Sequence, residues 1–226
     1  MNDSVDAKEK HGFRTLLFFL LVYIFGSPFL TPFPSLAIIA HCMLSTALFF
    51  SVWAVEKRRN FRSITMILLV PVLGIYWLGI YDIIPFSYLA AYILLAIFFA
   101  LLIVSFATQI SRTEGITIHV IHATLCLYLI IGLFWGSLYS LLYELDPGSF
   151  AGVLLEYDQD GLLTAFNYFS MVTLTTLGYG DITPQSPGAG ALCQVEAIVG
   201  QFYTAVVVAW LVGNFVSERQ RTNKKR

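Results

Sequence analysis

The sequence predicts an all-α membrane protein with six transmembrane helices and a shorter, re-entrant helix that ends in a glycine-rich loop. Three observations predict it. The 226 residues are 58% hydrophobic and 12% charged, with a mean hydropathy of +0.76, whereas soluble domains are about one-quarter charged. Six apolar runs approach or exceed the roughly 20 residues that cross a bilayer. All 13 Lys and Arg residues fall at the ends of those runs that lie on one side.

The runs are 13–30, 35–55, 64–84, 86–110, 116–143 and 191–216. The first begins without a small-residue cleavage site and is expected to be a span, not a cleaved signal. Pro28, Pro32 and Pro34 mark a short outer turn, and Pro85 a tight one between the third and fourth spans. Pro71, Gly74 and Gly79 in the third span suit either a kink or close packing. Gly132 and Gly136 form a small-xxx-small pair on the fifth, which predicts a close helix contact. Cys42, Cys126 and Cys193 lie in apolar runs and read as packing residues.

Basic residues set the orientation. Lys8, Lys10 and Arg14 precede the first span; Lys57, Arg58, Arg59 and Arg62 separate the second and third. Arg112 follows the fourth, and Arg219, Arg221, Lys224, Lys225 and Arg226 close the chain. The positive-inside rule makes that side cytoplasmic, with both termini on it and the protein in the cell membrane. The opposite side collects Asp82, Glu144, Asp146, Glu156, Asp158, Asp160 and Asp181, an acidic mouth that favours cations. Asp158 and Asp160 lack the further ligands and terminal glutamate of a calcium loop.

A seventh apolar run, 162–175, is too short to span. Asp160-Gly161 is its expected cap, and the string T-L-T-T-L-G-Y-G-D over 173–181 follows it. Two glycines around a tyrosine free the backbone to turn its carbonyls where most residues resist. Irregular backbone at membrane depth is tolerated only where it is buried or lines a cavity, and carbonyls lining a cavity are suited to holding ions.

Helix, half-helix, T-x-T-T-x-G-Y-G-D and helix together resemble the pore module of the potassium channel family over residues 116–216. The resemblance implies a filter in which Thr176, Leu177, Gly178 and Tyr179 present carbonyls to potassium ions. The Thr176 hydroxyl is the innermost ligand, and Gly180 and Asp181 complete the filter geometry. One loop per chain implies a homotetramer. Gly200, 19 residues after Asp181, matches the position where inner helices of the family bend, although a packing glycine is the alternative. Thr204, Val208 and Val212 would then face the pore, the valines as a hydrophobic constriction. Tyr168 and Phe169 stand where voltage-gated relatives often have two tryptophans, and Phe169 cannot donate to Tyr179.

The implied organisation is a four-helix peripheral domain (1–112), a pore domain (113–217) and a basic tail (218–226) suited to anionic lipid headgroups. The fourth span carries no Lys or Arg before Arg112, so weak or absent voltage dependence is expected. Glu196 is the sole acid well inside a span; it is expected to bond hydroxyls such as Ser170 or Thr173, as a structural link or as a proton sensor. His41, His119 and His122 lie at or near spans; His119 and His122 lack an acidic partner and a third metal ligand, so packed or interfacial histidines are expected there. No nucleophile–base pair or H-E-x-x-H string suggests an enzyme. No cofactor and no nucleic-acid partner are expected. A transporter subunit with several degenerate loops and a nonselective cation pore are the competing readings.

Overall fold

The computed structural model describes residues 3–55, 59–80, 87–113, 117–155 and 159–224. Asp82, Pro85, Glu156, Asp158, Lys57, Arg58, Lys225 and Arg226 lie outside the described residues, as do the side chains of Asp160 and Val212. Among the described residues the chain forms seven α-helices: α1 (Asp3–Leu30), α2 (Pro34–Ala54), α3 (Arg59–Ile80), α4 (Ser87–Arg112), α5 (Ile118–Leu145), α6 (Gln159–Leu174) and α7 (Pro187–Lys224). All but α6 contain a stretch long and apolar enough to cross a membrane. Each of the six expected spans is therefore matched by a helix long and apolar enough to cross a membrane.

Several boundaries differ, each for a local reason. α1 starts at Asp3, so the charged N-terminal segment is a helical extension of the first span. Pro28 lies inside α1, while Pro34 opens α2 at its first helical position, where a missing N–H costs nothing. The turn is thus narrower than the proline cluster suggested. α3 runs through Pro71 without ending. α6 begins at Gln159, which places Asp160 and Gly161 in its first turn instead of at its cap. α7 carries the first residues of the basic tail as continuous helix to Lys224. At about 1.5 Å per residue, the 38 residues of α7 reach about 57 Å, well beyond a hydrocarbon core of about 30 Å.

α5 organises the packing: it contacts α4, α1, α6 and α7, while α1 also packs on α2 and α3 on α4. One contiguous apolar core joins them, with Leu16, Leu44, Leu48, Leu95, Phe98 and Phe106 fully buried on the α1–α4 side. His41 is buried, and its Nδ1 lies 2.7 Å from the Tyr76 hydroxyl. That contact makes it a packing group between α2 and α3.

Burial is uneven in an informative way. Some 56% of the apolar span of α5 is buried, against 11% for α7. Val195, Ile198, Phe202, Val206 and Val208 of α7 are exposed, so the last helix is apolar on sides that the rest of the chain leaves uncovered.

One element escaped the all-α expectation. Phe150–Ala151 (β1) pairs antiparallel with Thr183–Pro184 (β2), with Phe150 opposite Pro184 and Ala151 opposite Thr183. Asp146 accepts from the Gly148 amide (3.1 Å) in the turn before β1, so at least one acid of the expected mouth has a local structural partner. Gly152 lets the two segments meet: a Cβ there would run into the Asp181 carbonyl and come within 2.9 Å of Ile182 Cα.

Candidate functional site

The loop that follows α6 is set by its backbone. Thr176, Gly178 and Gly180 all have positive φ, at 59°, 60° and 78°, and Thr176 is the one non-glycine described residue that does. Leu177 and Tyr179, between them, do not. In an ordinary extended strand successive carbonyls alternate sides. Reversing the sign of φ at every second residue rotates alternate peptide planes and brings the carbonyls toward a common side.

Hydrogen bonds hold this shape from the amide side. The Thr176 amide donates to the Thr173 carbonyl and the Leu177 amide to the Val172 carbonyl, both at 2.9 Å. The loop therefore hangs from the last turn of α6. Among the described residues, no protein donor bonds the carbonyls of Thr176, Leu177, Gly178 or Tyr179. Those oxygens are available to a ligand. Leu177 and Tyr179 are 55% and 68% exposed on the isolated chain, which leaves this segment open on the side away from α6.

Three helices converge behind the loop on Glu196, which is fully buried. Ser170 of α6 lies 2.5 Å from its Oε1, the contact expected from the sequence. Tyr139 of α5 donates to its Oε2, a partner that sequence reasoning missed. Ser170 Oγ also lies 2.7 Å from the Gly132 carbonyl. Tyr139 thus holds one carboxyl oxygen, while the Ser170 hydroxyl lies between the other and the Gly132 carbonyl. Buried polar groups need such full pairing.

The small residues of α5 make room for this junction. Gly136 meets α6 at Asn167, where an added Cβ would sit 3.0 Å from the backbone, and Gly132 meets Met171 and Ser170. The expected close contact is therefore between α5 and α6. Asn167 in turn donates to the Tyr23 hydroxyl of α1 at 2.9 Å. Phe169 packs edge-on to Tyr139 and Phe150, with ring centroids 5.1 and 5.7 Å away, and forms part of an aromatic wall with Phe166.

On the outer side Tyr168 donates to Asp181 Oδ2 at 2.5 Å, while Asp181 Oδ1 accepts from the Ile182 amide at 3.1 Å. Asp181 is thus tied to α6 through Tyr168, the residue beside Phe169, which cannot donate to Tyr179. On the inner side Gly200 packs against Leu174 so closely that any Cβ would collide with its carbonyl. α7 continues through Gly200 without a break, and Thr204 returns its hydroxyl to the Gly200 carbonyl at 3.0 Å. Thr204 and Val208 are exposed on the isolated chain. Gln201, which sequence reasoning passed over, donates to Thr176 Oγ1 at 3.1 Å.

His119 and His122 occupy the first turns of α5 and are half-buried. No group of three metal-ligating side chains gathers anywhere among the described residues.

Loop, paired helices and buried junction coincide with a recognised domain. Residues 123–217 match the family model described as an ion channel, so this stretch is similar to an ion-channel domain. The chain is also similar to the potassium channel protein kcv of Paramecium bursaria Chlorella virus 1, 28% identical over 105 residues, which are 46% of this chain and 97% of the viral protein. No solved structure matches this chain.

Proposed function

We propose that this chain is a potassium-selective channel that conducts ions passively through a filter built from Thr176, Leu177, Gly178 and Tyr179. The observation that carries the reading is the alternation of positive φ at Thr176, Gly178 and Gly180 beside carbonyls that no protein donor among the described residues occupies. A potassium ion that sheds its water needs several oxygens at once, and stacked carbonyl rings supply them. The viral relative is named as a potassium channel, which supports the choice of ion.

One chain supplies one quadrant of each ring, so the working unit is a homotetramer around the loop. The exposed apolar sides of α7 support this, because they would be covered by neighbouring copies. In that assembly α6 is the pore helix. Its C-terminal end abuts the loop, and the partial negative charge of that end favours a cation there. Gly200 remains the proposed bending point of the inner helix, with Thr204, Val208 and Val212 facing the pore. α1–α4 form a peripheral scaffold, both termini are cytoplasmic in the cell membrane, and the basic end of α7 meets anionic lipid.

Purified protein in lipid vesicles under opposed potassium and sodium gradients tests the reading. The expected reversal potential lies near the potassium equilibrium value, and one near the sodium value would overturn selectivity. Voltage steps in the same recordings test α4. A sensor arginine gains about 2.3 kcal/mol per 100 mV, and α4 has no basic residue before Arg112. Open probability should therefore change less than about tenfold across ~50 mV, and a steeper response would contradict the assignment of α1–α4 as a scaffold.

A further inference from the structure

We infer that Gln201 is a positioning residue for the innermost ion site, acting through the Thr176 hydroxyl. The inference rests on the filter reading above and deepens it.

Thr176 is where the loop is under most conformational demand. A β-branched residue at φ 59° occupies a region that such residues avoid, and surroundings must over-determine it for it to persist. Its amide is fixed by the Thr173 carbonyl at 2.9 Å. Its side chain is fixed from another helix, by the Gln201 amide at 3.1 Å. Gln201 is the only amide-bearing side chain on α7 between Gln194 and Asn214. Its place relative to the loop is set by the preceding residue, since Gly200 lies flush against the Leu174 backbone. The amide therefore reaches Thr176 from a firmly seated helix.

The chemistry follows from the donor and acceptor count. A threonine hydroxyl oxygen has two lone pairs. The Gln201 N–H occupies one and holds the oxygen in a single rotamer, which leaves the other lone pair and the Thr176 carbonyl for an ion. In a fourfold assembly four amides would fix four hydroxyls at the inner end of the filter. Without them the hydroxyls rotate freely, and an ion must order them on arrival.

Barium, a divalent ion close to potassium in size, applied from the cytoplasmic side reads this site directly. Gln201→Leu is expected to weaken barium block roughly three- to tenfold, the span that one neutral hydrogen bond covers. Gln201→Asn, one methylene too short to reach, should do the same. In a Thr176→Ala background, which lacks the hydroxyl, neither change at Gln201 should shift the block further; such non-additivity isolates the pairwise contact. Calorimetric titration of purified tetramer with barium supplies the same six affinities for any variant that does not conduct. An unchanged affinity in Gln201→Leu, or the same shift with and without the Thr176 hydroxyl, would overturn the inference. A sodium-like reversal potential of the wild type would instead remove the filter reading beneath it, so the two failures are distinguishable.

Discussion

Replacing Glu196 by alanine is expected to be among the most damaging single changes in this chain, while replacing it by glutamine should leave the fold intact. The carboxyl is fully buried and joins α5 through Tyr139 to α6 through Ser170. Alanine leaves the tyrosine hydroxyl without its acceptor, empties the carboxyl's volume, and strips one side of Ser170. A cavity of this kind and an orphaned buried hydroxyl each cost about 1–3 kcal/mol, and in the proposed tetramer four chains would incur the cost together. Glutamine has the same shape: its oxygen accepts from Tyr139 and its N–H donates to Ser170, which keeps its bond to the Gly132 carbonyl. Thermal melting of the detergent-solubilised protein should show a drop of several degrees for Glu196→Ala and little for Glu196→Gln. Equal melting of both variants and the wild type would remove the junction from any account of stability. Recordings across pH complete the test: a dependence seen in the wild type and absent from Glu196→Gln assigns titration to this carboxyl, and parallel profiles assign it none.

That junction also shows where the sequence was legible and where it was not. Apolar runs of spanning length are local signals, and all six reappear as helices. Glu196 advertised itself as a lone acid among apolar residues, and a hydroxyl partner on the preceding short helix follows from the cost of leaving it bare. Tyr139 did not advertise itself, because tyrosine is common in spans and its partner is 57 positions away. A face argument reaches it: Gly132, Gly136 and Tyr139 are spaced i, i+4, i+7 and so share the stripe of α5 that meets α6. The β1–β2 pair is two residues long on each side, too short for any alternation to show. The Tyr168–Asp181 and Gln201–Thr176 bonds depend on how α6 and α7 seat against the loop. No local pattern specifies that. Polar residues beside the family's signature positions were the available signal: Gln201 follows Gly200 directly, and Tyr168 precedes Phe169.

The loop itself yields the second large effect: Gly178→Ala should abolish discrimination between potassium and sodium, or conduction altogether. Gly178 has φ +60° with no atom within 4 Å of an added Cβ on the isolated chain, so the penalty is conformational and not a collision within one subunit. An L-residue with a side chain costs about 1–2 kcal/mol in left-handed backbone, or about 4–8 kcal/mol over the four chains of the proposed tetramer. Thr176 meets a similar demand two residues earlier, but its amide is hydrogen-bonded to the Thr173 carbonyl at 2.9 Å and Gln201 holds its side chain. The Gly178 amide reaches Val172 only at 3.4 Å, a weaker restraint. The peptide planes on either side of an alanine would therefore relax toward negative φ, and the rotation would swing carbonyls out of line with their neighbours. Gly74→Ala is the matched control: Gly74 lies within α3 and also has open space around it, so alanine there should be neutral or slightly stabilising. Reversal potentials under opposed gradients compare the two. A potassium-like value for Gly178→Ala, indistinguishable from that of Gly74→Ala, would mean that left-handed backbone at this position is not what aligns the filter.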